Sequence, residues 1–170
     1  MFRFYPNMYL KDVASIDFDD LYRRGYRGLI FDIDNTLVAH GADSNPEVDA
    51  LFRRLHSLGF RTLLLSNNSE ERIRRFNAGI GTSFIADAGK PHPEAFRKAI
   101  RMMRVEARQA IVIGDTTNTD IAGANRAGIQ SILVKYIGYY NKEKKGLRRR
   151  LERIMLFFFP LFAPFRRLNP

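Results

Sequence analysis

The segment GLIFDIDNTLVAHG, residues 28–41, ends an apolar run on two carboxylates, Asp32 and Asp34. Such groups are costly at the edge of a core unless a cation or a dense set of donors receives them. Three further stretches carry polar groups in the same way. LLLSNN at 63–68 supplies Ser66, Asn67 and Asn68, AGKPHP at 88–93 supplies Lys90, and GDTTNTD at 114–120 supplies Asp115 and Asp120. Asp32 and Asp115 could share a hard divalent cation, and Mg²⁺ favours oxygen ligands while keeping several waters. Ser66 and Lys90 could hold the non-bridging oxygens of a phosphoryl group, with Thr36 and Asn67 as further donors. Asp32 is then placed to attack phosphorus, since aspartate can form an aspartyl phosphate. Asp34, two residues later on the same face, could protonate the leaving oxygen and then activate water.

Each residue alone has a plainer use. Asp34, Asn35 and Thr36 could cap a turn, Asp120 could favour a helix N-terminus, and Ser66 and Asn68 could cap the next helix. Lys90 before a proline could be a solvated loop lysine. Complementary groups at four separate places weigh against these readings taken together. His40, His56 and His92 share no metal-ligand spacing and read as loop or surface residues. GIGTSF at 79–84 lacks the lysine and hydroxyl ending of a phosphate-binding P-loop.

The groups must be brought together by the elements between them. Short apolar runs at 26–32, 61–66, 83–86, 110–114 and 130–134 predict buried strands of a parallel sheet covered on both faces. Val48, Leu51, Phe52, Leu55 and Leu58 form a helical stripe ending at Gly59. Ile73 and Phe76 anchor a short helix before Gly79. Phe96, Ala99, Ile100 and Met103 mark another, with Pro93 suited to its first turn. A last helix is expected from near Asp120 to Gly128. The order predicts a three-layer α/β domain with five parallel strands and ligands at the strand carboxyl ends.

The 170 residues suffice for one core, and the absence of cysteine excludes disulfides and thiolate chemistry. The 28 Lys and Arg against 18 Asp and Glu leave a net charge of +10, which suits nucleic acid, an anionic membrane or a polyanionic substrate. With neither a signal peptide nor about 18 consecutive apolar residues for a span, a cytoplasmic protein is expected.

The four motifs, in order, resemble those of the haloacid dehalogenase superfamily of phosphohydrolases over about 29–134. That resemblance implies a Rossmann-like core, Asp32 as nucleophile, Asp34 as general acid and base, and Mg²⁺ bound near Asp115 and Asp120, directly or through water. It also implies that the Asp34 backbone carbonyl binds the magnesium. The opening PNMYLKDVASIDFDDLYRRGYRGLIFDIDNTLV, residues 6–38, is similar to the YqeG-type group and to mitochondrial phosphatidylglycerophosphate phosphatases. This implies dephosphorylation of phosphatidylglycerophosphate. Only 29 residues separate Thr36 from Ser66 and 23 separate Ser66 from Lys90, largely spent on core elements, so no large cap domain is expected. An open site suits a macromolecular or membrane-borne phosphomonoester. A soluble nucleotide or sugar phosphate, with a second subunit supplying the missing wall, is the alternative substrate.

Three regions follow: an extension at 1–25 packing near the core, the phosphatase core at 26–140, and a tail at 141–170. Between Lys142 and Arg153 the tail has seven basic residues against two acidic ones; twelve apolar or proline residues then run from Ile154 to Phe165. Such a segment could lie at the inner face of an anionic membrane, fold back on its own core, or cover a second subunit. Aromatic residues among bases also allow a basic RNA- or ribosome-binding protein, although no recognised nucleic-acid motif is present.

Overall fold

The structure, a computed structural model, describes residues 4–135 together with Ile137 and Leu168. Among these residues, strands β1 (Met8–Leu10), β2 (Gly28–Phe31), β3 (Arg61–Leu65), β4 (Ser83–Ile85), β5 (Ala110–Gly114) and β6 (Gln130–Val134) make one sheet in the order β1-β6-β5-β2-β3-β4. Every pairing is parallel. The α-helices are α1 (Phe18–Arg23), α2 (Pro46–Ser57), α3 (Glu70–Phe76), α4 (Pro93–Met103) and α5 (Ala122–Ala127).

The period-two geometry of the strands divides the core. Leu29 and Phe31 of β2, Leu64 of β3, and Ile111 and Ile113 of β5 pack in one cluster with residues of α1, α2 and α3. Ile30, Leu63, Leu65, Ala110 and Val112 point the other way, onto α4 and α5. Helices therefore cover both faces, and this is why the central strands read as unbroken apolar runs.

The sheet has six strands where five were expected. The extra strand, β1, lies at the edge beside β6, where Asn7 donates its backbone N–H to Ser131 O at 2.9 Å and its side-chain Oδ1 accepts from Ser131 N at 3.1 Å. The last helix also differs: a π-helical turn at Thr117–Ile121 precedes α5, which Gly128 ends in the left-handed conformation at φ 73°.

Local chemistry sets the other helix boundaries. Asn45 caps α2 by accepting from Val48 N at 2.9 Å, and Pro46 fills its first turn. Ser69 caps α3, accepting from Arg72 N at 3.4 Å. The cap is thus Ser69, not Ser66 or Asn68. Among the described residues, only α2 lies as a helix between β2 and β3, and only α3 with the short turn Asn77–Gly79 between β3 and β4. No large cap is inserted.

The tail at 141–170 lies outside the described residues except for Leu168. That residue is buried in the cluster facing α1–α3, and its carbonyl accepts from the Arg24 guanidinium. Residues 4–135 hold 18 Lys and Arg against 16 Asp and Glu, so eight of the ten excess positive charges fall elsewhere in the chain.

Candidate active site

Strand order reverses at β2: α2 and α3 lead away toward β3 and β4, and the chain returns through α4 to place β5 on the other side. The crevice at the carboxyl ends of β2 and β5 is therefore the switch point at which ligands bind in open α/β sheets. Asp32 immediately follows β2 and Asp115 immediately follows β5. Both line a cleft of about 210 Å³ that also receives Asp34, Ser66, Asn67, Lys90 and Asp120.

Lys90 is the hub. Its Nζ donates to Asp32 Oδ1 and to Asp120 Oδ1, each at 2.6 Å, and its side chain is only 5% exposed. It is not a solvated loop lysine. Burial opposes its charge, yet the Asp120 and Asp32 carboxylates outweigh that cost and hold the ammonium above the ordinary lysine range. The Asn67 side chain fixes the loop that carries it: Oδ1 accepts from Lys90 N at 2.8 Å and Nδ2 donates to Lys90 O at 3.3 Å.

Oxygen atoms of Asp32, Asp115 and Asp120 lie within 4.8 Å of one another. Asp120 sits in the π-helical turn, where Oδ2 accepts from Thr116 N at 3.1 Å, and Thr116 Oγ1 donates to Asp115 Oδ1 at 3.1 Å. Burial pushes the Asp32 carboxyl up to about 6; Lys90 pulls it down and Asp120 adds to the rise. Asp120 is also raised, by burial and by Asp115, against the pull of Lys90. One ammonium does not balance three clustered carboxylates. An oxygen-only set with surplus negative charge fits a hard divalent cation such as Mg²⁺.

Asp34 occupies a different environment on the same cleft. Its Oδ2 accepts from Asn68 Nδ2 at 2.7 Å and its Oδ1 accepts from Gly41 N at 3.1 Å and Arg72 Nη2 at 3.3 Å. His40 Nδ1 stands 3.3 Å from Oδ2. Partial burial works against the charge, but Asn68, the Gly41 amide, His40 and Arg72 outweigh it and hold the carboxyl below its usual range. Asn35 turns the loop with a positive φ of 63°, its N–H donating to Val38 O at 2.6 Å.

Thr36 departs from expectation. Its hydroxyl donates to Asp32 Oδ2 at 3.2 Å, and the residue lies buried behind that carboxylate instead of lining the cleft. Ser66 does line it, its Oγ accepting from Asn68 N at 3.2 Å. Arg72 and His40 were not among the expected site residues. The available signal for Arg72 was its place in the first turn of α3, the helix capped by Ser69 three residues after Ser66.

Residues 38–128 match the family described as haloacid dehalogenase-like hydrolase. The chain is also 33% identical over 153 residues to "Probable phosphatase YqeG" of Bacillus subtilis (strain 168), covering 87% of this chain and 89% of that one. The chain belongs to the haloacid dehalogenase-like hydrolases. It is a phosphatase of that type. A 28% identity over 140 residues links it to "Phosphatidylglycerophosphate phosphatase 1, chloroplastic" of Chlamydomonas reinhardtii, over 76% of this chain and 52% of that enzyme. NagD from E. coli K-12 shares the fold at a TM-score of 0.55 with 14% identity, over 71% of this chain and 93% of that one. The matched family region begins after Thr36, so the place of Asp32 in the site rests on its position after β2, beside Lys90 and Asp115.

Proposed function

We propose that the chain hydrolyses phosphatidylglycerophosphate to phosphatidylglycerol and phosphate through an aspartyl phosphate on Asp32. The observation that carries the chemistry is the convergence of Asp32, Lys90, Asp115 and Asp120 at the ends of different strands. An oxygen of Asp32 attacks phosphorus as the bond to the glycerol oxygen breaks, and Asp34 gives that oxygen its proton. Asp34 then takes a proton from water, whose oxygen attacks phosphorus and frees phosphate with Asp32 restored. In the free protein the donors around Asp34 favour the carboxylate, the form that activates water. A phosphate dianion entering the cleft weighs against that charge and favours the proton needed for the first step. Lys90 and Ser66 hold non-bridging oxygens. Asp32, Asp115, Asp120 and the Asp34 carbonyl would hold Mg²⁺, which when bound neutralises charge on the phosphoryl group.

The lipid substrate is supported by the likeness to the Chlamydomonas enzyme and by a cleft with no inserted cap to close over it. The basic, Phe-rich segment at 141–165 adds attraction for an anionic surface: each basic residue close to such a leaflet contributes about 1 kcal/mol. We place the protein at the cytoplasmic side of that surface.

The test is phosphate release from phosphatidylglycerophosphate in anionic vesicles and from a panel of nucleotide and sugar phosphates, with and without Mg²⁺. Mg²⁺-dependent turnover is expected, most efficient on the lipid and abolished in Asp32→Asn with the fold intact. Retained turnover in that variant rejects the nucleophile. Equal or better efficiency on soluble substrates rejects the lipid. Negligible turnover with tight, sequence-insensitive RNA binding would favour a binding protein.

A further inference from the structure

Arg72 lies outside the triad and outside the Lys90 hub, yet it is mostly buried, with a side chain 12% exposed. Its Nη2 donates to Asp34 Oδ1 at 3.3 Å and also to the Ala42 carbonyl. Its guanidinium stands 5.6 Å from the Phe76 ring centroid, and Nη1 lies 3.8 Å from Asp43 Oδ1. One guanidinium, chiefly through Nη2, thus ties helix α3 to Asp34 and to the loop after it. Asn68, four residues earlier, donates to the other Asp34 oxygen at 2.7 Å. With the Gly41 amide, three directed donors fix the plane of a carboxylate that a single contact would leave free to rotate.

We propose that Arg72 is the positioning residue for Asp34, aiming its carboxyl at the leaving oxygen of the substrate. The proposal rests on the reading of Asp34 as acid and base. Arg72 touches no reacting atom; it acts by holding Asp34 within reach of one. A misplacement of about 1 Å in such a group can cost on the order of 10²-fold in rate. Lysine cannot substitute fully, because its rotatable ammonium lacks the planar group that aims Nη2 at both Asp34 and Ala42 O while Nη1 faces Asp43.

Leaving-group dependence separates this role from a merely structural one. An alkoxide needs a proton as it departs, whereas p-nitrophenolate departs without one. We therefore expect Arg72→Ala to slow the first step, release of the alcohol in a single turnover, about 10²-fold on phosphatidylglycerophosphate but less than about tenfold on p-nitrophenyl phosphate. The water step, in which Asp34 is the base for either substrate, should slow equally for both. Substrate affinity, read from the concentration dependence of the first step, should stay near its wild-type value. Asp34→Asn should show the same asymmetry, and adding Arg72→Ala to it should cost little more on the lipid, as coupled residues require. Arg72→Lys should fall between wild type and Arg72→Ala. Equal losses of first-step rate on both substrates, no such loss on the lipid, or additive losses in the double variant would overturn the proposal.

Amide hydrogen exchange at Gly41 reads the clamp without turnover. Release of Asp34 should speed Gly41 exchange at least tenfold in Arg72→Ala and less in Arg72→Lys, while exchange within β2 stays slow. Unchanged Gly41 exchange in Arg72→Ala would overturn the proposal whatever the substrate. If wild type turns over neither phosphate ester, the catalytic reading fails, and the exchange result alone decides whether Arg72 positions Asp34.

Discussion

The Lys90 ammonium stands 2.6 Å from Oδ1 of Asp32, across 58 positions of sequence. The same nitrogen reaches Asp120 at 2.6 Å, so one cation joins the ends of β2 and β5 through their following residues. Removing one partner of a buried charge cluster leaves the others uncompensated, a cost of about 3–5 kcal/mol. Lys90→Met should accordingly lower the urea midpoint markedly and abolish turnover. Added Mg²⁺ should recover part of the lost stability, because it would balance the same carboxylates. A Lys90→Met protein with a wild-type midpoint would show that the cluster is neutralised some other way.

The raised Asp32 carboxyl makes a pH prediction whose sign is fixed. A carboxyl lifted from about 3.8 to about 6 binds more protons folded than unfolded between those values. The Asp32 contribution to the stability of the metal-free protein then falls as pH rises through that window, with its full penalty present above about 6. The lift corresponds to about 3 kcal/mol at about 1.4 kcal/mol per pH unit. Asp32→Asn removes the charge while its amide oxygen can still accept from Lys90. Its metal-free melting temperature should exceed that of wild type by several degrees at pH 7.5 and match it near pH 4. Calorimetry across pH 4–8 without metal checks this; an Asp32→Asn protein less stable than wild type at pH 7.5 would contradict it.

The parallel core was legible because β2, β5 and the Leu63–Leu65 stretch of β3 are buried on both faces and therefore spell uninterrupted apolar runs. The groups converging on the cleft were legible because Asp32, Ser66 and Asp115 each follow such a run directly. Strand β1 was not, since MYL is three residues long and becomes a strand only through pairing with the edge of β6. The π-helical turn at Thr117–Ile121 was hidden for a similar reason: its shape is tied to Asp120, which accepts from Thr116 N and Lys90 at once. Thr36 shows the limit of motif reading, because residue type gives a donor but not the group it faces. Arg72 was one of several arginines in EERIRRF, and only the packing of α3 distinguishes it from Arg74 and Arg75, which pair with Glu70 and Asp43 at the surface.

Gly114, the last residue of β5, controls how closely Asp120 approaches that strand. A Cβ placed there would lie 2.5 Å from Asp120 Cγ and 2.6 Å from its Cβ, too near for either to stay in place. The clash includes the root of the side chain, so rotation of the carboxylate alone cannot relieve it. Asp120 must move away from Lys90 and from its partners in the triad, or β5 must shift. Overpacking of this kind costs about 1–3 kcal/mol. Gly114→Ala should therefore remain folded with a lower urea midpoint and bind Mg²⁺ at least tenfold more weakly by calorimetry. Its turnover at saturating Mg²⁺ should fall as well, because Lys90 is held through Asp120 and through Asp32 together. Wild-type Mg²⁺ affinity in Gly114→Ala would mean that the cation is held without Asp120, and the ligand set would reduce to Asp32, Asp115 and the Asp34 carbonyl.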